Sequence, residues 1–375
     1  MGTRGLTLDA IFPRGHMFIK EIINAFTAPY YLISAAALLL FLSLKWPAKF
    51  YSTRVAKILF PAMFLFLILS TALDANFRRI VTKPDNVPIV GMLFLVPFFT
   101  WFSLRQAVRN DQRTAEGKPL IEQEETAEKV LTWPDLVYTE LICMVVLTVV
   151  LIGWSMALQA PLEAPANPSS SPNPSKAPWY FLGLQEMLVY FDPWLAGVVF
   201  PGLIIVGLMA IPYIDTNPKG NGYYTLKERR WEISTFLFGF LILWILLVIL
   251  GTFLRGPNWN FFGPYEFWDI HKLEALVNVN LSEYIWVKGL GMGLPKNPLI
   301  REMFGFIIVI GYFVLIPPIL AKKWFKGFYQ TLGPIRFHVM TFLLLAMAAL
   351  PIKMVLRWLF NLKYIIGIPE YFFNI

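Results

Sequence analysis

Charge, histidine and cysteine are all scarce in these 375 residues: Asp, Glu, Lys and Arg make up 15% of the chain, beside three histidines and one cysteine. Soluble domains carry roughly a quarter of their residues charged, so a chain this poor in charge cannot clothe an ordinary water-facing surface. The lone Cys143 permits no intrachain disulfide and no Cys-x-x-Cys-His haem attachment. His16, His271 and His338 fall too far apart in the pattern of apolar runs to face each other across helices, as axial ligands of a b-type haem must. No Walker sequence and no zinc-ligand spacing occurs. The net charge of +8 is dispersed through short segments between apolar runs, which excludes a basic patch for nucleic acid.

What the chain does hold is apolar side chains, 57% of the total. Eight runs reach bilayer-spanning length with few or no charges near their middles: 28–45, 58–75, 87–105, 136–158, 195–214, 231–254, 303–321 and 337–358. Hydrocarbon offers backbone N–H and C=O groups no partner, so each run must satisfy its own as a helix. The expected fold class is an all-α membrane protein of about eight transmembrane helices. No small-residue cleavage site follows the first run, so a removable signal peptide is not expected. If the runs cross alternately, the loops after the first, third, fifth and seventh share a face and hold 17 of the 32 Lys and Arg. Those loops have roughly half the length of the opposite ones, and the positive-inside rule makes their face cytoplasmic, with both termini outside. A mixed-charge stretch at 12–26 reads as an interfacial helix.

The stretch 161–194, PLEAPANPSSSPNPSKAPWYFLGLQEMLVYFDPW, lies between the fourth and fifth runs on the outer face. Six prolines and a serine run keep its first half out of regular helix or strand. Its second half, 179–191, is aromatic and too short to cross a bilayer. It reads as a short amphipathic helix at the membrane surface. Glu186 lies seven residues after Trp179, about two helical turns, so the two are expected on one face with Gly183 between them leaving room for a ring. A carboxylate in an apolar pocket suits proton transfer near neutral pH. The competing reading makes Glu186 the wet face of an anchor helix. Asp192, before Pro193, reads as the cap of the turn into the fifth run.

Pro165-Ala166-Asn167-Pro168, Pro172 and Trp179-Tyr180-Phe181-Leu182 resemble, with similar spacing, the loop of cytochrome b that carries its Pro-Glu-Trp-Tyr motif. Trp133-Pro134-Asp135-Leu136 resembles the start of the preceding helix in the C-terminal half of that family, also called subunit IV where it is a separate chain. The resemblance spans roughly residues 133–321. One departure stands out: the slots of the motif's proline and glutamate hold Ala177 and Pro178, so the glutamate thought to take the quinol's proton is absent.

The resemblance implies a haem-free subunit of a bacterial bc-type quinol:cytochrome c oxidoreductase, in the inner (cytoplasmic or intracytoplasmic) membrane. It would oxidise quinol at the outer face, pass electrons toward a cytochrome c, and translocate protons. It would not be catalytic alone. A quinone or quinol is expected at the subunit interface, and haem b on a partner resembling the N-terminal half of cytochrome b. An iron–sulfur protein and/or cytochrome c subunits would accept the first electron in a dimeric complex surrounded by membrane lipid. The expected site is Glu186 as general base with Pro178, Trp179, Tyr180, Phe181 and Gly183 around the quinol. Asp135 is a candidate for an inner quinone site, although dipole and capping at a helix start account for it equally. Residues 1–130 read as an N-terminal extension with three spans, 131–325 as the cytochrome b-like region with four, and 326–375 as an extension with one. Two rival readings are a polytopic transporter or channel, for which mid-membrane charges and repeat symmetry are missing, and a structural anchor of another respiratory complex.

Overall fold

Helices follow the apolar runs closely. The computed structural model describes residues 13–125, 130–158, 162, 165–217 and 225–375. Among these residues seven helices are long and apolar enough to cross a membrane: α3 (Thr53–Leu73), α4 (Val87–Ala115), α5 (Thr132–Ala157), α7 (Leu195–Ile214), α8 (Arg230–Leu254), α9 (Met303–Lys322) and α10 (Lys326–Phe360). The first expected span, 28–45, corresponds to α2 (Pro29–Lys45), whose 17 residues lie at the short end of what crosses a bilayer. It is bent by 73° from the segment Met17–Phe26 of α1 (Pro13–Phe26), so the pair makes a broken span or a re-entrant loop. The chain is an all-α polytopic membrane protein. Its only sheet among the described residues is the two-residue pairing of Gly367–Ile368 with Phe373–Asn374.

Prolines sit inside several spans, at Pro61, Pro97, Pro212, Pro317, Pro318 and Pro351. Neighbouring helices and local adjustments re-satisfy the freed carbonyls in such positions. One break is sharp. Gly333 takes φ 73°, a conformation glycine adopts without penalty, and Pro334 restarts the helix. α10 is therefore a short leading segment joined to the long helix that the apolar run marks.

The chain folds as two compact units. The first comprises Met1–Ser175, Lys219–Leu237 and Phe261–Ile270. Here α3 and α4 pair through edge-on aromatic rings, Phe60 on Phe98 and Trp101, and Phe64 on Phe94. Between them a short helix, Ala75–Val81, is capped by buried Asp74, which accepts from the Phe77 N–H at 2.8 Å and pairs with Lys20 at 2.6 Å. Tyr265 closes the same corner, bonded to Ser70 at 2.8 Å. At the other end of α4, buried Asn110 donates to Glu122 at 2.7 Å and accepts from the Ile121 N–H. No side chain of Val137–Ala157 in α5 is buried. Such a helix presents its apolar surface to lipid or to another chain.

The second unit comprises Lys176–Pro218, Phe238–Asn260 and His271–Ile375. In it α7 and α9 both pack on α10. The six-residue helix α6 (Leu182–Met187) rests on the end of α8. A Cβ at Gly251 would lie 3.0 Å from the Leu182 carbonyl oxygen, so glycine is what lets the two backbones approach. The long segment after α8 forms only short helical turns, at Pro257–Trp259, Glu283–Gly289 and Pro298–Arg301. The end of the chain folds back as the small hairpin. Buried Glu302 accepts from the Gly367 N–H at 3.1 Å, while Arg301 bridges Glu302 and Glu370.

Candidate functional site

The proline-rich loop ends where Pro178 accepts from the Phe181 N–H at 2.8 Å and starts a single turn of 3-10 helix, Trp179–Phe181. The chain then tightens into α6. The expected continuous helix over 179–191 is thus two short pieces, and its faces divide differently from a regular helix. Trp179, Tyr180 and Phe181 remain 41%, 47% and 48% exposed and sit in a row, Trp179 edge-on to Tyr180 with centroids 5.7 Å apart and Tyr180 tilted against Phe181 at 4.5 Å. Leu182, Gly183, Glu186 and Met187 are buried against α8. Gln185 ties the pieces together, its side-chain oxygen accepting from the Ala177 N–H at 2.9 Å.

The chemistry of the site lies in one ion pair. Arg255, the residue after α8, donates through Nε to Glu186 Oε2 at 2.9 Å and through Nη2 to Oε1 at 2.6 Å. Glu186 is fully buried and the Arg255 side chain nearly so. A third donor of Arg255, Nη1, reaches the Trp259 carbonyl at 3.0 Å. Burial works against the Arg255 charge, but the Glu186 carboxylate outweighs it and holds the guanidinium above its ordinary range. Tyr190, buried beside the pair, has its phenol pushed up by burial and by the Glu186 charge. Both carboxylate oxygens are already engaged, so the pair is a closed unit with bidentate geometry.

The rest of the loop is held from below by α10 and the chain's end. The Tyr364 hydroxyl donates to Asp192 at 3.0 Å, and Trp194 Nε1 donates to the Asn374 carbonyl at 3.1 Å. Phe373 stacks on Trp194 at 5.5 Å, Trp358 meets Tyr190 edge-on, and the buried Lys353 ammonium sits 5.7 Å above the Phe191 ring. Burial, the hydrogen bond to Asp192 and the Asp192 charge push the Tyr364 phenol up to about 12.

Residues 165–265 match the family model described as cytochrome b(C-terminal)/b6/petD. That stretch is similar to the C-terminal part of cytochrome b. The match takes in the loop, α6, α7 and α8, and it supports a place in a cytochrome bc-type complex. It ends before α9 and α10. No solved structure matches the chain.

Pro178, Trp179, Tyr180, Phe181, Gly183 and Glu186 are all brought together in the second unit, on different faces. The position that reads as open space at Gly183 is filled by α8: a Cβ there would meet Val248 Cγ2 at 3.3 Å and the Trp244 carbonyl oxygen at 3.5 Å. Asp192 accepts from Tyr364 rather than capping α7 with its side chain. Asp135 stands exposed in the first turn of α5, in the first unit. Arg255 is the residue that sequence reasoning misses, because nothing in local spacing links it to a carboxylate 69 positions earlier. A single charge at the end of the most deeply packed span is the signal that points to it. Among the described residues no three His, Cys, Asp or Glu side chains gather as a metal site. His338 is spent on the Pro334 carbonyl one turn away.

Proposed function

We propose that this chain is the quinol-site subunit of a cytochrome bc-type complex in a bacterial inner membrane, oxidising quinol at the outer face. The observation that carries the reading is the exposed Trp179–Tyr180–Phe181 row, inside the stretch that matches the cytochrome b family. Three aromatic faces at the mouth of a membrane loop suit a flat, lipid-soluble ring by stacking and burial. Pro178 fixes the turn that presents them. Gly183 serves by letting α6 seat on α8. Behind the row stands Glu186, the carboxylate we assign to receive a quinol proton. Both its oxygens are held by Arg255, so it takes a proton as that pair opens. Haem b would be carried by a partner resembling the N-terminal half of cytochrome b, with an iron–sulfur protein or cytochrome c as electron acceptor. Asp135 we assign to an inner quinone site.

Steady-state reduction of cytochrome c by quinol in the purified complex tests this. At matched haem content, Glu186→Gln should slow turnover roughly 10²-fold, as loss of a positioned general base does. Trp179→Ala should raise KM more than it lowers kcat. A Glu186→Gln complex that turns over at the parental rate makes the Glu186–Arg255 pair a purely structural tie and sends the proton elsewhere.

A further inference from the structure

The first unit has a groove of its own. The end of α3, the short helix Ala75–Val81 and the start of α4 enclose about 510 Å³ lined by Leu67, Ile68, Ala72, Val81 and Val90, with Arg78 the one charged residue on its wall. The walls are fixed rather than loose. Asp74 caps the short helix at one end and is tied to Lys20. At the other end the buried Asn86 side chain donates to the Ile80 carbonyl at 2.7 Å. Phe77, between them, is buried against Phe66 and Tyr265.

Arg78 and its neighbour Arg79 are exposed, and neither is paired with a carboxylate among the described residues, whereas Lys83 nearby is paired with Asp85 at 2.9 Å. Arg78 thus stands on the wall of an apolar groove directly after a membrane span, with exposed Arg79 next to it in the chain, and neither meets a carboxylate among the described residues. A guanidinium matches a phosphate diester through paired N–H donors, and the groove matches a hydrocarbon chain. The groove walls are held in place before anything binds, so the ordering that binding must supply is confined to the exposed arginine side chains.

We propose that this groove binds an anionic phospholipid, its headgroup phosphate on Arg78 and Arg79 and one acyl chain against Leu67, Ile68 and Val90. The site lies outside the matched stretch 165–265 and does not depend on the quinol assignment. It gives the N-terminal spans a ligand of their own. The lipid is distinguished from the surrounding bilayer by its charge, since any phospholipid can supply the chain.

The test uses the full-length protein, delipidated in detergent and titrated with phosphatidylglycerol or with phosphatidylcholine of the same acyl chains. Bound lipid is counted by native mass spectrometry. The parental protein should retain phosphatidylglycerol in preference. Arg78→Gln/Arg79→Gln should bind it roughly 25-fold more weakly, about fivefold per arginine, the equivalent of ~1 kcal/mol each. Ala72→Trp, which fills the groove from an exposed position, should lower binding of both lipids. Arg109→Gln, an exposed arginine elsewhere on α4, should change neither. Equal binding of the two lipids by the parental protein would overturn the proposal. So would a phosphatidylglycerol preference that survives the double arginine change, and that arm stands even if Ala72→Trp does not fold.

Discussion

Removing the Glu186 charge should cost the fold before it costs the chemistry. In Glu186→Gln one of the two oxygens that Arg255 grips becomes an NH₂ facing another N–H donor, and the guanidinium stays buried without a counter-charge. Exposed ion pairs contribute about 0–1 kcal/mol. Breaking a buried one by removing a single partner costs about 3–5 kcal/mol, because it strands the other charge. Glu186 has no exposed surface and the Arg255 side chain retains 11%, so the larger range applies. Replacing both residues, as Glu186→Met/Arg255→Met, removes the pair and its desolvation together and should fall much closer to the parental protein. The assay is thermal unfolding of the full complex in detergent for the two single and the double substitutions, read as a double-mutant cycle. A coupling of about 2 kcal/mol or more is expected. Single substitutions that each unfold within ~0.5 kcal/mol of the parent, with no coupling, would refute the bidentate pair.

Gly251→Val puts a branched side chain where even a Cβ would lie 3.0 Å from the Leu182 carbonyl, so α6 must lift from α8. It should destabilise by about 1–3 kcal/mol and lower quinol turnover at matched complex content; an unchanged melting curve counts against the close approach. The raised Tyr364 phenol favours the folded state while it keeps its proton. Its contribution is complete below pH 10, its ordinary value, and is lost as pH climbs toward about 12. Tyr364→Phe should therefore flatten the alkaline fall in stability between those values, and a fall of the same steepness in the variant excludes this group. A membrane-impermeant reagent applied outside intact cells should modify cysteines introduced at Ser169–Ser171 and leave those at Glu122 or Glu124 untouched. The reverse pattern inverts the topology drawn from the basic loops.

Much of the architecture is readable from hydropathy because membrane spans are the one element that composition alone enforces. The run at 195–214 and the helix Leu195–Ile214 coincide at both ends. α10 extends beyond its run because Lys326–Leu332 is a polar, amphipathic lead-in joined through Gly333. α2 starts at Pro29 because Thr27 and Ala28 turn the chain just before it. The site is less legible. Seven-residue spacing places Trp179 and Glu186 on one face only if the helix is regular, and the 3-10 turn at 179–181 breaks that phase. Gly183 carries no sign in the sequence that α8 will fill its space. Arg255 meets Glu186 only through the packing of two segments far apart in the chain, and the hold of Tyr364, Trp358 and Phe373 on 190–194 arises from the same kind of long-range contact. Local pattern reports helices; it does not report which of their ends touch.

The central claim is that quinol binds at the Trp179–Phe181 row of this chain. The most direct measurement is photoaffinity labelling of the intact complex with an azido-quinol, followed by peptide mapping. Label on the peptide spanning Pro178–Phe191, displaced by excess unlabelled quinol and lost in Trp179→Ala, is the predicted result. Displaceable label confined to another subunit, or to segments of this chain outside that loop, would contradict it.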